Sequence, residues 1–321
     1  KDMEINKQNN LLELFYQQYL KENPDQIFLK SLKNSDNEFT WKETYLNILK
    51  LSEELSLFIE NKDRCLLISE NRPEWMITDL SIMLAKGITV PVYTTYTERD
   101  YEYIIDDCKP AVIFVSDFIQ YRKIENIIKK KNYIKKIISF ESLNKTDSYL
   151  IQDIEKIFSK QNYDANKFSK VEIKRKDISC IIYTSGTQGN PKGVMLSHGG
   201  ILNNCDGACE LIKTITKKHP IFLTWLPLSH SYEHTVQFVQ IAVMAKVFYA
   251  ESIERLIPNM NECKPEIMTA VPRFYQNLYQ KINSNFDKAK GLKKILINQT
   301  VHLGKKKLFK KKLIFKEKLI N

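Results

Sequence analysis

Cys180-Ile-Ile-Tyr-Thr-Ser-Gly-Thr-Gln-Gly-Asn-Pro-Lys-Gly-Val-Met-Leu-Ser197 decides how this chain is read. It opens on Cys180–Thr184, an apolar run with the length and β-branched content of a buried strand. It then breaks into an eight-residue loop, Gly186-Thr-Gln-Gly-Asn-Pro-Lys-Gly193, that holds three glycines. The whole chain of 321 residues has nine glycines, and six of them lie between Gly186 and Gly207. A glycine-poor protein that gathers its glycines needs backbone conformations or close approaches that a Cβ forbids. Thr184, Ser185, Thr187 and Lys192 add hydroxyls and an ammonium to the N–H groups of a tight turn. Such a set of donors suits a polyphosphate.

The Walker pattern, Gly-x-x-x-x-Gly-Lys followed by Ser or Thr, is not met. Pro191 precedes the lysine and Gly193 follows it, so no helix starts smoothly there. The expectation is a strand–loop–strand flap, with the chain returning along Val194–Ser197. An ordinary hairpin turn is the plain alternative, but such turns usually need about two to five residues.

Outward from the loop, strands and helices alternate. On the N-terminal side, apolar residues recur with helical period from Leu11 to Leu20. Thr40 with Glu43 forms a capping box opening a helix toward Glu60. Strand-like runs follow at Cys65–Ser69, Ile88–Tyr93 and Ala111–Val115, with helices starting at Pro73 and after Thr97. Residues 120–135 and 141–176 are rich in Lys and Asn and read as weak helix and loop. On the C-terminal side come a helix over 199–213, a strand Ile221–Trp225 and a helix over 231–245. Strands Val247–Tyr249 and Ile267–Val271 follow, then a helix from Arg273 to about Ile282. The pattern predicts an α/β fold of mixed, largely parallel sheets flanked by helices. The subdomain boundary is placed at the polar stretch, giving 1–176 and 177–321.

Composition excludes several function classes. The formal charge is +11, but twelve lysines and a single acid, Glu317, lie from Lys288 onward. That leaves 37 basic and 37 acidic residues in 1–287, so the body is neutral and only the tail is basic. No base-stacking pattern accompanies the charge, and nucleic acid is not expected as a partner. The tail mixes Lys with Leu, Ile and Phe, which reads first as a solvated helix face and second as a peripheral contact with anionic lipid. The six cysteines have neither metal-ligand nor disulfide-framework spacing and are expected as buried thiols. No apolar run approaches a membrane span and no signal peptide is visible, so a cytoplasmic location is expected.

Two further segments carry reactive groups. Leu226-Pro-Leu-Ser-His-Ser-Tyr-Glu-His234 directly follows an apolar strand and brings His230, Glu233 and His234 close in sequence. The carboxyl ends of strands in open α/β sheets are where ligands bind. Helix-capping serines with surface histidines are the competing reading. Arg273, at a strand-to-helix junction, reads first as a helix anchor.

The stretch Tyr183–His198 resembles the signature loop of the AMP-forming adenylate ligases, the superfamily of acyl-CoA synthetases, luciferases and peptide-synthetase adenylation domains. Leu226–Glu233 is similar to the next motif of that family. Val271-Pro-Arg-Phe-Tyr275, Ser69-Glu-Asn-Arg-Pro-Glu-Trp75 and Val90-Pro-Val-Tyr93 look most like the long-chain fatty-acid–CoA ligases. The resemblance runs from about Leu11 to about Ile282.

The resemblance implies ATP-dependent activation of a long-chain fatty acid to an acyl-adenylate, then transfer to coenzyme A. ATP, Mg²⁺ and coenzyme A are the implied cofactors. Thr184, Ser185, Gly186, Thr187, Gln188, Gly189 and Lys192 match the nucleotide-binding loop. Thr187 is the implied metal-side hydroxyl, and Lys192, His230 and Thr187 are the implied catalytic residues. Glu233 is placed beside the nucleotide. Gln188 departs from the family's usual Thr or Ser, exchanging a hydroxyl for an amide that can still donate. The family's later motifs, a Tyr-Gly-x-Thr-Glu segment, a ribose-binding Asp and a C-terminal lysine, are not found before Asn321. The chain is therefore expected to be the front part of the large adenylation domain, without ligase activity of its own. The alternatives are an acyl-AMP ligase serving a carrier protein and a non-catalytic nucleotide- or acyl-binding remnant.

Overall fold

The computed structural model describes residues 4–144, 150–184, 189–216 and 219–308. Its strands are β1 (Ile27–Ser31), β2 (Glu38–Thr40), β3 (Arg64–Ile68), β4 (Ile88–Val92), β5 (Val112–Val115), β6 (Lys136–Ser139) and β7 (Ile151–Asp153). They continue as β8 (Ile178–Thr184), β9 (Lys192–Ser197), β10 (Ile221–Thr224), β11 (Lys246–Tyr249) and β12 (Ile267–Met268). The helices are α1 (Leu11–Lys21), α2 (Trp41–Leu55), α3 (Pro73–Leu84), α4 (Glu98–Cys108), α5 (Phe118–Ile128), α6 (Ile154–Phe158) and α7 (Lys167–Lys170). After them come α8 (His198–Ile215), α9 (Ser231–Ala242), α10 (Leu256–Cys263), α11 (Pro272–Asp287) and α12 (Leu292–Leu308).

Two sheets organise the chain. The larger runs β7-β6-β5-β3-β4-β8-β9 and is parallel except for its β8–β9 edge pair. The smaller runs β12-β10-β11-β1-β2 and is parallel except for β1–β2. The mixed, mostly parallel α/β architecture expected from the alternation is the one found. Every residue of β4 and β5 is buried, as parallel strands covered on both faces must be. All twelve residues of α3 are buried too, and α3 packs on β4 of one sheet and β1 of the other. A helix buried on every side belongs to a central layer, and α3 is one between the two sheets. The largely buried α9 packs on α1 and α8.

Several elements differ from the sequence expectation. β1 and β2 were not foreseen; the Phe28 and Trp41 rings, stacked with centroids 3.8 Å apart, fix β1 against α2. β6 fills the gap between the two Lys/Asn-rich stretches, 120–135 and 141–176, and β7 lies inside the second, expected as weak helix and loop; the two pair in parallel beyond β5. α2 stops at Leu55 rather than near Glu60, and the strand expected over Ile267–Val271 shortens to β12. Residues on both sides of position 176 contribute to both sheets. The first compact unit runs from Lys1 to Thr269, and Ala270–Asn321 forms a second, in which Pro272 takes the first turn of α11. The six cysteines are free and buried. Among the described residues no helix is long and apolar enough to cross a membrane.

Candidate nucleotide and acyl-activation site

The strands on either side of the signature loop, β8 and β9, pair as an antiparallel hairpin, the strand–loop–strand order expected from the sequence. β8 lies between β4 and β9, and the antiparallel register ends with Tyr183 opposite Gly193 and Thr184 opposite Lys192. Thr184 and Lys192 therefore face each other across the mouth of the hairpin, both exposed. Gly189 has φ +91°, a region that glycine alone enters freely. Gly193 is needed for space: a Cβ there would lie 2.9 Å from Ile181 Cγ2 and 3.2 Å from the Tyr183 ring. Ser185, Gly186, Thr187 and Gln188, the loop tip of the sequence reading, lie outside the described residues.

Strand β8 is held at its loop end. The Tyr183 hydroxyl donates to Asp107 Oδ2 on α4 at 2.5 Å, and the Tyr96 hydroxyl donates to the Tyr183 carbonyl at 3.3 Å. The far side of the hairpin is fixed by Ser197, whose hydroxyl caps α8 by accepting from Gly200 N at 3.1 Å. His198 beside it is buried, accepts from Leu11 N at 3.2 Å, and has its pKa pushed down to about 4 by burial. It is a neutral structural imidazole, a role the motif alone does not reveal.

The second motif follows β10. Asn71 clamps it, donating to the Leu226 carbonyl at 2.7 Å and accepting from Leu228 N at 3.1 Å. His230 is the N-cap of α9, and its Nδ1 accepts from Tyr232 N at 3.2 Å. With Nδ1 acting as acceptor, the imidazole proton sits on Nε2 as a donor. His230 is exposed, at a helix start that favours anions. Glu233, one turn on, is buried; Thr269 Oγ1 donates to its Oε2 at 2.7 Å. Burial raises its carboxyl to about 7, against the opposing pull of that hydrogen bond. Surface histidines were the competing reading of this segment. That holds for the position of His230 and fails for His234, which is wholly buried.

A cleft of about 710 Å³ opens at the carboxyl ends of strands from both sheets, where α/β folds bind ligands. Ser69, Asn71, Arg72, Tyr93, Trp225 and Ser229 contribute to its lining. The structure thus brings Thr184, Gly189 and Lys192 together in one hairpin, and His230 with Glu233 on the first turn of α9. Among the described residues no hydrogen bond joins the first group directly to the second.

The sequence profile of the AMP-binding enzyme family matches residues 16–308. The chain belongs to the AMP-binding enzyme family. Among its relatives, long chain acyl-CoA synthetase 4 of Arabidopsis thaliana is 28% identical over 280 residues, covering 81% of this chain and 40% of the relative. Long-chain-fatty-acid–CoA ligase 5 of Rattus norvegicus is 29% identical over 248 residues, covering 73% of this chain and 36% of the relative. This AMP-binding enzyme chain therefore spans about 40% or less of these relatives' lengths. The crystal structure of ATP-bound MatB from Rhodopseudomonas palustris superposes with a TM-score of 0.67 at 20% identity, covering 84% of this chain and 51% of that one. That likeness establishes a common fold.

Among the described residues no three His, Cys, Asp or Glu side chains are grouped to hold a metal, and the Mg²⁺ expected from the sequence is assigned to Thr187. Thr187 itself lies outside them.

Proposed function

We propose that this chain carries the phosphate-binding part of an ATP-dependent ligase. The ligase activates a long-chain fatty acid as its acyl-adenylate and passes the acyl group to coenzyme A. The observation that carries this reading is the hairpin closed by Thr184 and Lys192, in a chain of the AMP-binding family whose relatives are named long-chain acyl-CoA synthetases. The ATP-bound MatB structure, of the same fold, supports ATP as the nucleotide.

In the first step a fatty carboxylate oxygen attacks the α-phosphorus, and the bond to the bridging oxygen breaks to release pyrophosphate. Negative charge accumulates on the leaving group. In this reading the Lys192 ammonium and the N–H groups of the glycine-rich loop donate to that charge, and donors aimed at developing charge lower such barriers. His230 supplies its Nε2–H to an oxygen of the carboxylate or the α-phosphate. In the second step the coenzyme A thiolate attacks the acyl carbon and AMP leaves.

Titrating the purified chain with a fluorescent ATP analogue tests the nucleotide half. Binding is expected, weakened about tenfold or more by Lys192→Ala, the scale of a lost charged hydrogen bond. Equal affinity in the variant, or no binding by the parent, overturns the reading. The substrate half is tested with non-hydrolysable acyl-adenylates: a palmitoyl analogue should raise the melting temperature more than an acetyl one, and the reverse order overturns the long-chain assignment.

A further inference from the structure

His234 joins two structures that the proposed reaction needs in register. Its Nε2 lies 2.7 Å from Asp79 Oδ2 on α3, and its Nδ1 lies 3.6 Å from Cys180 Sγ on β8. Gln237, one turn further along α9, donates to the same Asp79 oxygen at 2.9 Å. Cys180 is four residues before Thr184 on the strand that delivers the phosphate loop, and His234 is four after His230 on the helix that begins at it. The three side chains belong to β8, α3 and α9. They therefore tie the larger sheet to the central layer and to the helix fed by the smaller sheet.

The order Cys–His–Asp invites comparison with a thiol nucleophile and its base. Burial excludes that use: Cys180, His234 and Asp79 are all 0% exposed, so no substrate reaches the sulfur. The edges of the His234 ring also meet aromatic neighbours, with Trp75 and Phe238 at centroid distances of 5.6 and 5.3 Å. Its two ring nitrogens point in fixed directions, one at a carboxylate and one at a sulfur, so the imidazole sets both separation and orientation.

We propose that Asp79–His234–Cys180 is a buried strut, with His234 the positioning residue that holds the phosphate hairpin in register with the His230 end of α9. The inference rests on the reading of the hairpin as a nucleotide-binding loop. Burial alone would strip the proton from His234, but the neighbouring Asp79 charge outweighs it and carries the pKa up to about 10. His198 on α8 is the other imidazole within electrostatic reach of Asp79.

A double-mutant cycle on ATP affinity tests the strut, using the whole chain and a fluorescent ATP analogue, with near-ultraviolet circular dichroism to confirm folding. His234→Gln should remain folded in the cold and bind ATP about tenfold more weakly. Combined with Lys192→Ala it should lose little beyond the worse single variant, because a displaced hairpin no longer delivers Lys192 to the phosphates. A role in stability alone would lower the melting temperature and leave the two affinity losses additive, which overturns the proposal. Should His234→Gln fail to fold, Cys180→Ala removes only the contact at β8; a loss of about threefold supports the strut, and unchanged affinity overturns it. A parent chain that binds no ATP overturns the functional reading and this inference with it. A parent that binds, beside a folded His234→Gln that binds equally, overturns the inference alone.

Discussion

At the scale of single residues, Glu233 shows how burial turns a common side chain into a pH-sensitive one. Its carboxyl is 1% exposed, and burial raises its pKa from 4.5 to about 7. The folded state therefore holds a proton that the unfolded chain gives up near pH 4.5. Stability falls as pH rises between those two values, because ionisation costs more inside than outside. The shift corresponds to roughly 3 kcal/mol. Glu233→Gln keeps an oxygen for the Thr269 hydroxyl and removes the titration. Its urea midpoint relative to the parent should rise from pH 4.5 to 7 and level off above, measured by equilibrium unfolding across that range. A constant difference would place the titrating group elsewhere.

At the scale of elements, the β8–β9 hairpin is where sequence and structure agree most closely, and the reason is steric. Gly193 sits against Ile181 and the Tyr183 ring, and Tyr183 cannot swing aside without breaking its 2.5 Å bond to Asp107. Gly193→Ala should therefore destabilise the chain by about 1–3 kcal/mol, the usual range for an overpacked site. It should also weaken ATP binding; a melting curve and a nucleotide titration read the two effects. The hairpin was legible because glycine and proline report backbone needs directly. The helices opening at Thr40 and Thr97 were legible for a similar reason: both carry complete capping boxes. β1, β2 and β6 were not: each is only three to five residues long, too short for a periodic pattern to show. β1 pairs with β11, more than two hundred residues away, and no local pattern announces that. The same holds at the site. His230 and Lys192 stood out within motifs, whereas Asp79 is an isolated acid in an apolar helix and Asn71 an ordinary loop residue. Only folding gives them their partners.

At the scale of the whole molecule, the two sheets are connected through a polar centre as well as an apolar one. The core between them is built from large side chains such as Trp41, Phe15, Phe222 and Phe238, yet it also holds the Asp79–His234 pair. Apolar burial stabilises many relative placements of two sheets, while a hydrogen-bonded ion pair stabilises one. Breaking one side of such a pair typically costs about 3–5 kcal/mol. The sign of its pH dependence follows from His234. The folded pKa of about 10 lies above the unfolded value of 6.5, so its stabilisation is complete below pH 6.5 and is lost as pH rises through 10. Other groups titrate over the same range, so the informative quantity is the difference between parent and His234→Gln. Urea unfolding from pH 6 to 10.5, followed by near- and far-ultraviolet dichroism, should show that difference shrinking as the pH climbs. Since the pair bridges layers shared by both sheets, the two signals of the Lys1–Thr269 unit should shift together. A gap that stays constant with pH would mean that His234 is buried neutral and that the sheets are registered by apolar packing alone.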